Sequence, residues 1–363
     1  MFYQCHRCKK NWQYPIEKCP ECFLELEKLP SKEIKVIGVS KVNIPTIFHQ
    51  KVPYFVLVLE DENGNKWVQK SIREYRAGDE FKIELTQDED AVAIWRIKYD
   101  ILEAIEKIVD LIGGIDINEK LSPIKQGEAR DEAKPQRSPK VLILPTLVSP
   151  SHPHFAENTT PQFLEATIKY LIEKGVKSEN IKVVGQSFDE IPIEASAQKS
   201  QLLGVCQNYK ILPQDLAKAD FIKKDEFEIS AEVFNVDLII NLPILKLDSS
   251  LGVKGAVENT FKFLKKSSYF SLQRLPRTEE KVKKLQKILP GYLTIAEGNY
   301  IQTTSGFISF LGITLASFNP LNLDRVFAEI CQTEPLPEWL KGVKIESIPI
   351  VGRRVEEVRL KIF

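Results

Sequence analysis

The spacing of apolar residues changes character along this chain. Over residues 33–98 they fall in short runs, at 34–39, 54–59, 66–69 and 80–85, each bounded by turn-forming residues. The segment Asp61-Glu62-Asn63-Gly64-Asn65 carries Asn-Gly, the strongest short hairpin signal, and Ala77-Gly78-Asp79 turns the chain again. Short strands at this spacing predict a small β-barrel. The period then becomes helical. Asp100 stands at a cap position with Glu103 three residues on, and Ile101, Leu102, Ile105, Ile108, Val109 and Ile112 form one stripe that stops at Gly113-Gly114. Such a stripe predicts a helix packed on the barrel or on the next domain.

Residues 121–139 are polar, charged and proline-bearing, which predicts a linker. Beyond it the pattern is that of buried strands alternating with helices. A continuous apolar run occurs at 141–144, with further buried strands at 181–184 and 236–241 and another strand at 312–317. Thr160-Pro161 opens a helix that stops at Gly175, 255–264 and 278–289 read as helical, and Pro320 opens a helix towards Cys331. This alternation predicts an α/β domain with a largely parallel sheet. The expected organisation is a zinc ribbon over 1–30, an OB-like β-barrel over 31–98, a connecting helix and linker over 99–139, and the α/β domain over 140–363.

Composition narrows the possibilities. The chain has 363 residues, 43% hydrophobic and 28% charged, with Lys+Arg and Asp+Glu equal at 50 each. A balanced charge offers no global field for nucleic acid. No run reaches the roughly 18 apolar residues of a membrane helix, and the first residues have neither the basic start nor the apolar core of a signal peptide. With four of six cysteines in one short cluster, metal binding in a reducing compartment is favoured over disulfides, which places the protein in the cytoplasm.

That cluster is Cys5-x-x-Cys8 and Cys19-x-x-Cys22, with ten residues between the pairs. Each Cys-x-x-Cys lets one tight turn present two sulfurs to an ion, so the spacing predicts a structural Zn2+ site, with iron as the alternative for the same ligands. Four thiolates fill the coordination shell and leave no open position for catalysis, and His6 reads as solvated. The ribbon followed by a small barrel resembles the acyl-CoA-associated zinc-ribbon/OB-fold family (domain of unknown function 35). The resemblance rests on the two knuckles, on Gly38-Val39-Ser40, on Val52-Pro53-Tyr54-Phe55-Val56 running into Leu59-Glu60, and on Tyr75-Arg76-Ala77-Gly78-Asp79-Glu80. It implies a docking head for a protein partner, such as a thiolase-like or acyl-transfer enzyme, or for an acyl-CoA-type ligand. The alternative for this head is single-stranded nucleic-acid binding, using Phe48, Tyr54, Phe55 and Trp67 with Lys51, Lys66, Lys70 and Arg73.

In the α/β domain, polar residues follow each predicted strand, where ligands of open α/β sheets bind. After the first come Thr146, Ser149, His152 and His154; after the second, Gln186 and Ser187; after the third, Asn241, Lys246 and Asp248, with Lys254, Glu258 and Asn259 beyond. Lys246 and Lys254 are expected to hold an anionic substrate, with Asp248 or Glu258 as acid or base. The remaining groups are expected to bind the ligand. Against this stands the plain reading of Lys254 and Glu258 as a surface i,i+4 pair. Asn241-Leu242-Pro243-Ile244-Leu245-Lys246, the segment 251–259, Ala296-Glu297-Gly298 and the run from Leu315 to Asp324 resemble the family called domain of unknown function 362. This chain has Leu144-Pro145-Thr146 where that family carries Lys and Asn, and Leu247-Asp248 where it carries Thr-His. The expected function is therefore a small-anion site for redox or acyl chemistry, or a non-catalytic accessory subunit whose pocket has decayed.

Overall fold

The computed structural model describes residues 2–13, 16, 18–29, 31, 33–44, 52–71, 73–81, 86, 88–115, 138–188, 191–274 and 278–360. The chain divides into two compact units, Met1–Glu84 and Leu85–Phe363.

The first unit is built from small antiparallel sheets. In one, β1 (Phe2–Cys5) pairs with both β2 (Asn11–Trp12) and β3 (Leu26–Leu29). The second has the order β4 (Ile34–Val42), β5 (Tyr54–Asp61), β6 (Lys66–Ser71). Alternation along β4 and β5 sends Ile34, Val36, Phe55, Leu57 and Leu59 to one face, where Trp67, Tyr75 and Phe81 cover them. The β5–β6 turn is the predicted one. Gly64 takes φ +76, and the Asp61 carboxylate accepts from the backbone amides of Asn63 and Asn65, the Asn65 side chain and the Ser31 hydroxyl. The two sheets meet where the Phe2 ring packs edge-on against Trp67 and Asn11 donates to Asn65. Glu80 bridges to Lys35, but 82–85, the rest of the strand expected there, lie outside the described residues, as do Phe48 and Lys51.

The second unit begins earlier than the boundary expected after residue 98. The apolar run β7 (Val92–Arg96) is a strand of the large sheet. It is followed by α1 (Ile101–Leu111), capped by the Asp100 side chain as predicted, with Ile105, Ile108 and Val109 buried against β7 and the second helix of the unit. Most of the linker expected over 121–139 lies outside the described residues, which are interrupted at 116–137. The elements that follow are β8 (Val141–Pro145), α2 (Pro161–Glu173), β9 (Ile181–Gly185), α3 (Ile193–Lys199), α4 (Leu202–Asn208) and β10 (Gln214–Asp215). After the small hairpin of β11 (Phe221–Lys224) and β12 (Phe227–Ser230) come β13 (Leu238–Leu242), β14 (Ile244–Asp248), β15 (Gly252–Lys254), α5 (Ala256–Thr260), α6 (Lys266–Arg274) and α7 (Thr278–Ile288). The chain closes with β16 (Leu293–Gln302), β17 (Ile308–Ser317), α8 (Pro320–Cys331), β18 (Ile350–Gly352) and α9 (Val355–Val358).

The sheet runs β10-β9-β8-β13-β16-β17-β7-β18, parallel from β10 to β16 and antiparallel at both neighbours of β17. This is the predicted α/β sheet, mostly parallel but mixed. Its central strands are almost wholly apolar because helices cover them: every residue of β8 and β13 is buried, and Asn241 is the one polar side chain of the two. Among the described residues, no helix is long and apolar enough to cross a membrane.

Candidate functional site

From β8 the chain steps outward through β9 to β10, then returns to place β13 on the other side of β8 and continues to β16. The strand order therefore reverses between β8 and β13, and the crevice beyond their carboxyl ends is where open α/β sheets bind ligands. At that point Pro243, which has no amide hydrogen to donate, interrupts the strand. The chain continues as β14 along the upper part of β16, with Ile244 opposite Glu297 and Lys246 opposite Gln302, so that β14 and its partner β15 extend past the end of β8.

The β14–β15 register sets Lys246 directly opposite Lys254. Like charges so placed destabilise a sheet unless something offsets them. Lys254 is offset: its Nζ lies 2.8 Å from Asp248 Oδ2. Burial works to lower Lys254, but that bond and the nearby charges of Glu258 and Asp248 carry its pKa above the ordinary value. Asp248 is held below the usual carboxylate range, because the Lys254 bond and the amides of Leu251 and Ser250 outweigh burial. Lys246 differs. Its Nζ donates to the carbonyl oxygen of Glu157 at 2.6 Å, a neutral acceptor, and among the described residues no carboxylate lies within ion-pair distance. Burial pulls its pKa down to about 8; Glu258 and Glu157 oppose this, while Lys254 and Lys262 add to it. The predicted group Lys246, Asp248, Lys254 and Glu258 is thus brought into one charged cluster.

Three predicted ligand-binding residues lie beneath it in the core, with their polar atoms engaged inside the chain. Asn259 Nδ2 donates to Asn241 Oδ1 (2.8 Å) and to the Leu144 carbonyl (2.9 Å), while its Oδ1 accepts from the Thr146 hydroxyl (3.1 Å). Asn241 Nδ2 donates to the Ala256 carbonyl and the Thr294 hydroxyl, and Thr146 Oγ1 accepts the amide of Ile244. Every donor and acceptor of both amides is satisfied, so the network fixes the ends of β8 and β13. Of the rest, Ser149 donates to the Glu157 carboxylate at 2.6 Å. His152 accepts from the His154 amide and meets Gln201, and among the described residues no hydrogen bond joins either histidine to Lys246 or Lys254. Gln186 donates to the Leu264 carbonyl, and its Oε1 has no partner among the described residues. Ser187 is half-buried beside Phe188, whose ring stacks on Tyr269 at 4.0 Å.

Two carboxylates that the strand-end reasoning did not single out complete the frame. Glu297 is buried and accepts both the amide (2.8 Å) and the hydroxyl (2.6 Å) of Thr160, the residue capping α2. Asp324, also buried, accepts the amides of Ala256 and Val257 at the start of α5 (2.7 and 2.9 Å). Burial pushes each up to about 7, against the lowering effect of those hydrogen bonds. Both lie in the segments that carry the family resemblance, but nothing in their local pattern marks a charge as buried.

In the first unit the four cysteine sulfurs lie within 4.8 Å of one another, and among the described residues this is the only such group of three or more His, Cys, Asp or Glu. The two knuckles match. Cys5 accepts from the Lys9 amide and donates to the Lys10 carbonyl, and Cys19 does the same with Phe23 and Leu24. Lys9 and Phe23 both turn through left-handed backbone, φ +58 and +56. Cys8 and Cys19 Sγ stand 3.7 Å apart, close to the ~3.8 Å edge of a tetrahedron with bonds of about 2.3 Å, so the donor set fits a four-coordinate metal ion. A hydrogen bond from the Cys8 amide is the largest influence on Cys5, drawing its thiol down to about 6. The aromatic candidates for nucleic-acid stacking are otherwise engaged: Phe55 in the core with Trp67 against it, and Tyr54 buried beneath Lys70 at 4.4 Å.

No curated protein matches this chain. Solved structures similar to it include the lactate racemase apoprotein from Thermoanaerobacterium thermosaccharolyticum, 11% identical, covering 67% of this chain and 57% of that one, with a TM-score of 0.38. The chain thus spans little more than half of that protein, and the likeness is too loose to carry a fold or functional assignment. Family membership rests on the sequence: residues 141–329, just over half of the chain, match the family described as Domain of unknown function (DUF362), and the chain belongs to it.

Proposed function

We propose that the Leu85–Phe363 unit binds a small organic or inorganic anion between Lys246 and Lys254, with Glu258 as the nearby proton carrier. One observation carries this reading: two lysines face each other across a ladder at the strand-order reversal, and one of them, half-buried, has a backbone carbonyl rather than a carboxylate as its partner. A structural lysine would be expected to sit on an acid, as Lys254 does on Asp248. Asp248, engaged by that pair, serves to orient Lys254 rather than to transfer protons. In the Met1–Glu84 unit the four cysteines hold a structural zinc ion. The ribbon and an OB-type barrel would form a docking head for a protein partner or an acyl-CoA-type ligand, in keeping with the resemblance to domain of unknown function 35.

The test is a thermal-shift series with inorganic phosphate, acetate and coenzyme A on the full chain, repeated with Lys246→Ala and Lys254→Ala. At least one anion should raise the midpoint, and each substitution should remove most of that rise. If no anion stabilises the chain, or both variants keep the full effect, the reading fails. The accessory-subunit reading would then lead, since the hydrogen-bonded amides of Asn241 and Asn259 already favour a structural role for part of the crevice.

A further inference from the structure

We propose that Lys246 is a covalent anchor for a carbonyl compound that also bears an acidic group, a 2-oxo acid by class, captured as an imine while Lys254 holds its carboxylate. The proposal rests on the anion-site reading above and adds a bond to it. Its basis is the geometry of the β14–β15 hairpin. Opposed residues in a ladder have Cβ atoms roughly 4.5–5.5 Å apart on one face, so the two side chains leave adjacent strands together, one amine held by the Glu157 carbonyl and the other by Asp248. A carboxylate one carbon from a carbonyl spans such a separation. It can meet the Lys254 ammonium while its carbonyl carbon faces Lys246 Nζ.

The surroundings favour the amine form at Lys246. Its nitrogen is held by the neutral carbonyl of Glu157, and a second cation faces it across the ladder. The charged groups near it are Glu157 in the loop after β8, Lys254 on β15, Glu258 on α5 and Lys262 beyond α5, and with burial they bring its pKa to about 8. Roughly a tenth of such a side chain is free base at pH 7, against about one part in 2,500 for an ordinary lysine. A desolvated lysine beside another cation is a recognised activated nucleophile for carbonyl substrates. Lys254, ion-paired to Asp248, stays charged and suits the opposite task.

The step balances without a further reagent. The Nζ lone pair forms the C–N bond and the carbonyl π electrons move to oxygen. Both amine hydrogens leave with that oxygen as water, and the C=N bond remains. Glu258, the acid whose charge is felt at both lysines, would relay one of those protons to the departing oxygen.

Reductive trapping tests this. The full chain is incubated with pyruvate and sodium cyanoborohydride, which delivers hydride to an imine and fixes it as a secondary amine, and the adduct is located by peptide mass spectrometry. Acetone, a carbonyl without a carboxylate, is the parallel probe, and acetate, a carboxylate without a carbonyl, reports anion binding by calorimetry. One adduct per chain is expected at Lys246, forming faster than at any exposed lysine by up to about two hundredfold, the ratio of the two free-base fractions. Lys246→Arg should abolish it. Lys254→Gln should slow pyruvate trapping more than acetone trapping and move the labelling pH profile upward. Adducts scattered over exposed lysines, or unchanged in Lys246→Arg, overturn the proposal; mapping on the unaltered chain locates the adduct independently of how the variants fold. If acetate binds and Lys254→Gln weakens it while no imine is trapped, the anion site stands and the covalent step falls. If acetate does not bind either, both fall.

Discussion

At the scale of single residues, Glu297 and Asp324 are unusual in being buried acids that hold backbone or hydroxyl hydrogens at helix starts. Glu297 has a folded pKa of about 7 against an ordinary 4.5. Between those values the folded chain binds more protons than the unfolded chain, so its contribution is greatest at low pH and declines as pH rises towards 7. At about 1.4 kcal/mol per pKa unit, going from pH 5 to pH 8 should cost on the order of 2 kcal/mol through this group alone. Glu297→Gln keeps an acceptor for the Thr160 amide and a polar partner for its hydroxyl while removing the charge. Urea unfolding at both pH values should therefore show a smaller loss in the variant than in the parent; equal losses would mean that Glu297 does not titrate in this window. None of this was legible in Ala296-Glu297-Gly298, since an acid between two small residues reads as a polar turn. Lys246 was legible as a strand-end residue, whereas its lack of a carboxylate partner depends on a loop about ninety positions away in the chain, at Glu157.

At the scale of elements, the strands at 141–144, 181–184 and 236–241 were readable because parallel strands covered on both faces are rich in apolar residues. The hairpin of β14 and β15 was not. Asn241-Leu242-Pro243 looks like the end of a strand, and on the β8 side it is one: the Ile244 amide goes to the Thr146 side chain rather than to a ladder carbonyl. The strand survives because Pro243 keeps its carbonyl, which accepts the Glu297 amide on the other side. The strand β7 was missed for a different reason. Its five residues follow turn-rich sequence that reads as barrel, and only pairing with β17 and β18 assigns them elsewhere. The start of α5 shows how tightly these elements close. A Cβ on Gly255 would stand 2.4 Å from Asp324 Oδ1 and 3.0 Å from the Leu245 side chain. Two backbone amides hold that carboxylate, so it cannot swing away without orphaning them. Gly255→Ala should accordingly destabilise the chain by about 1–3 kcal/mol, measured as a lower urea midpoint at unchanged slope. A variant as stable as the parent would show that Asp324 is free to move.

At the scale of the whole molecule, two units with different sources of stability share one chain. The Leu85–Phe363 unit has an extensive apolar core formed between its sheet and helices. Among its described residues, the Met1–Glu84 unit has a cluster of five buried apolar side chains and a four-cysteine cluster, and a core that small needs reinforcement. Metal binding to the four thiolates would supply it, because such a site forms only when the knuckles fold and binding free energy then becomes folding free energy. The cysteine spacing alone made this readable, since Cys-x-x-Cys specifies its own local geometry, whereas closure of a barrel depends on distant pairings that short alternating runs do not encode. Metal analysis of the full chain should give one zinc per chain, and Cys5→Ser with Cys19→Ser should remove it. Hydrogen exchange read by mass spectrometry should then show protection lost in peptides from residues 2–81 and kept in β8, β13 and β16. Loss of protection in both sets together would mean that the units fold as one, and retention in both would mean that the cysteines contribute no folding energy through a metal.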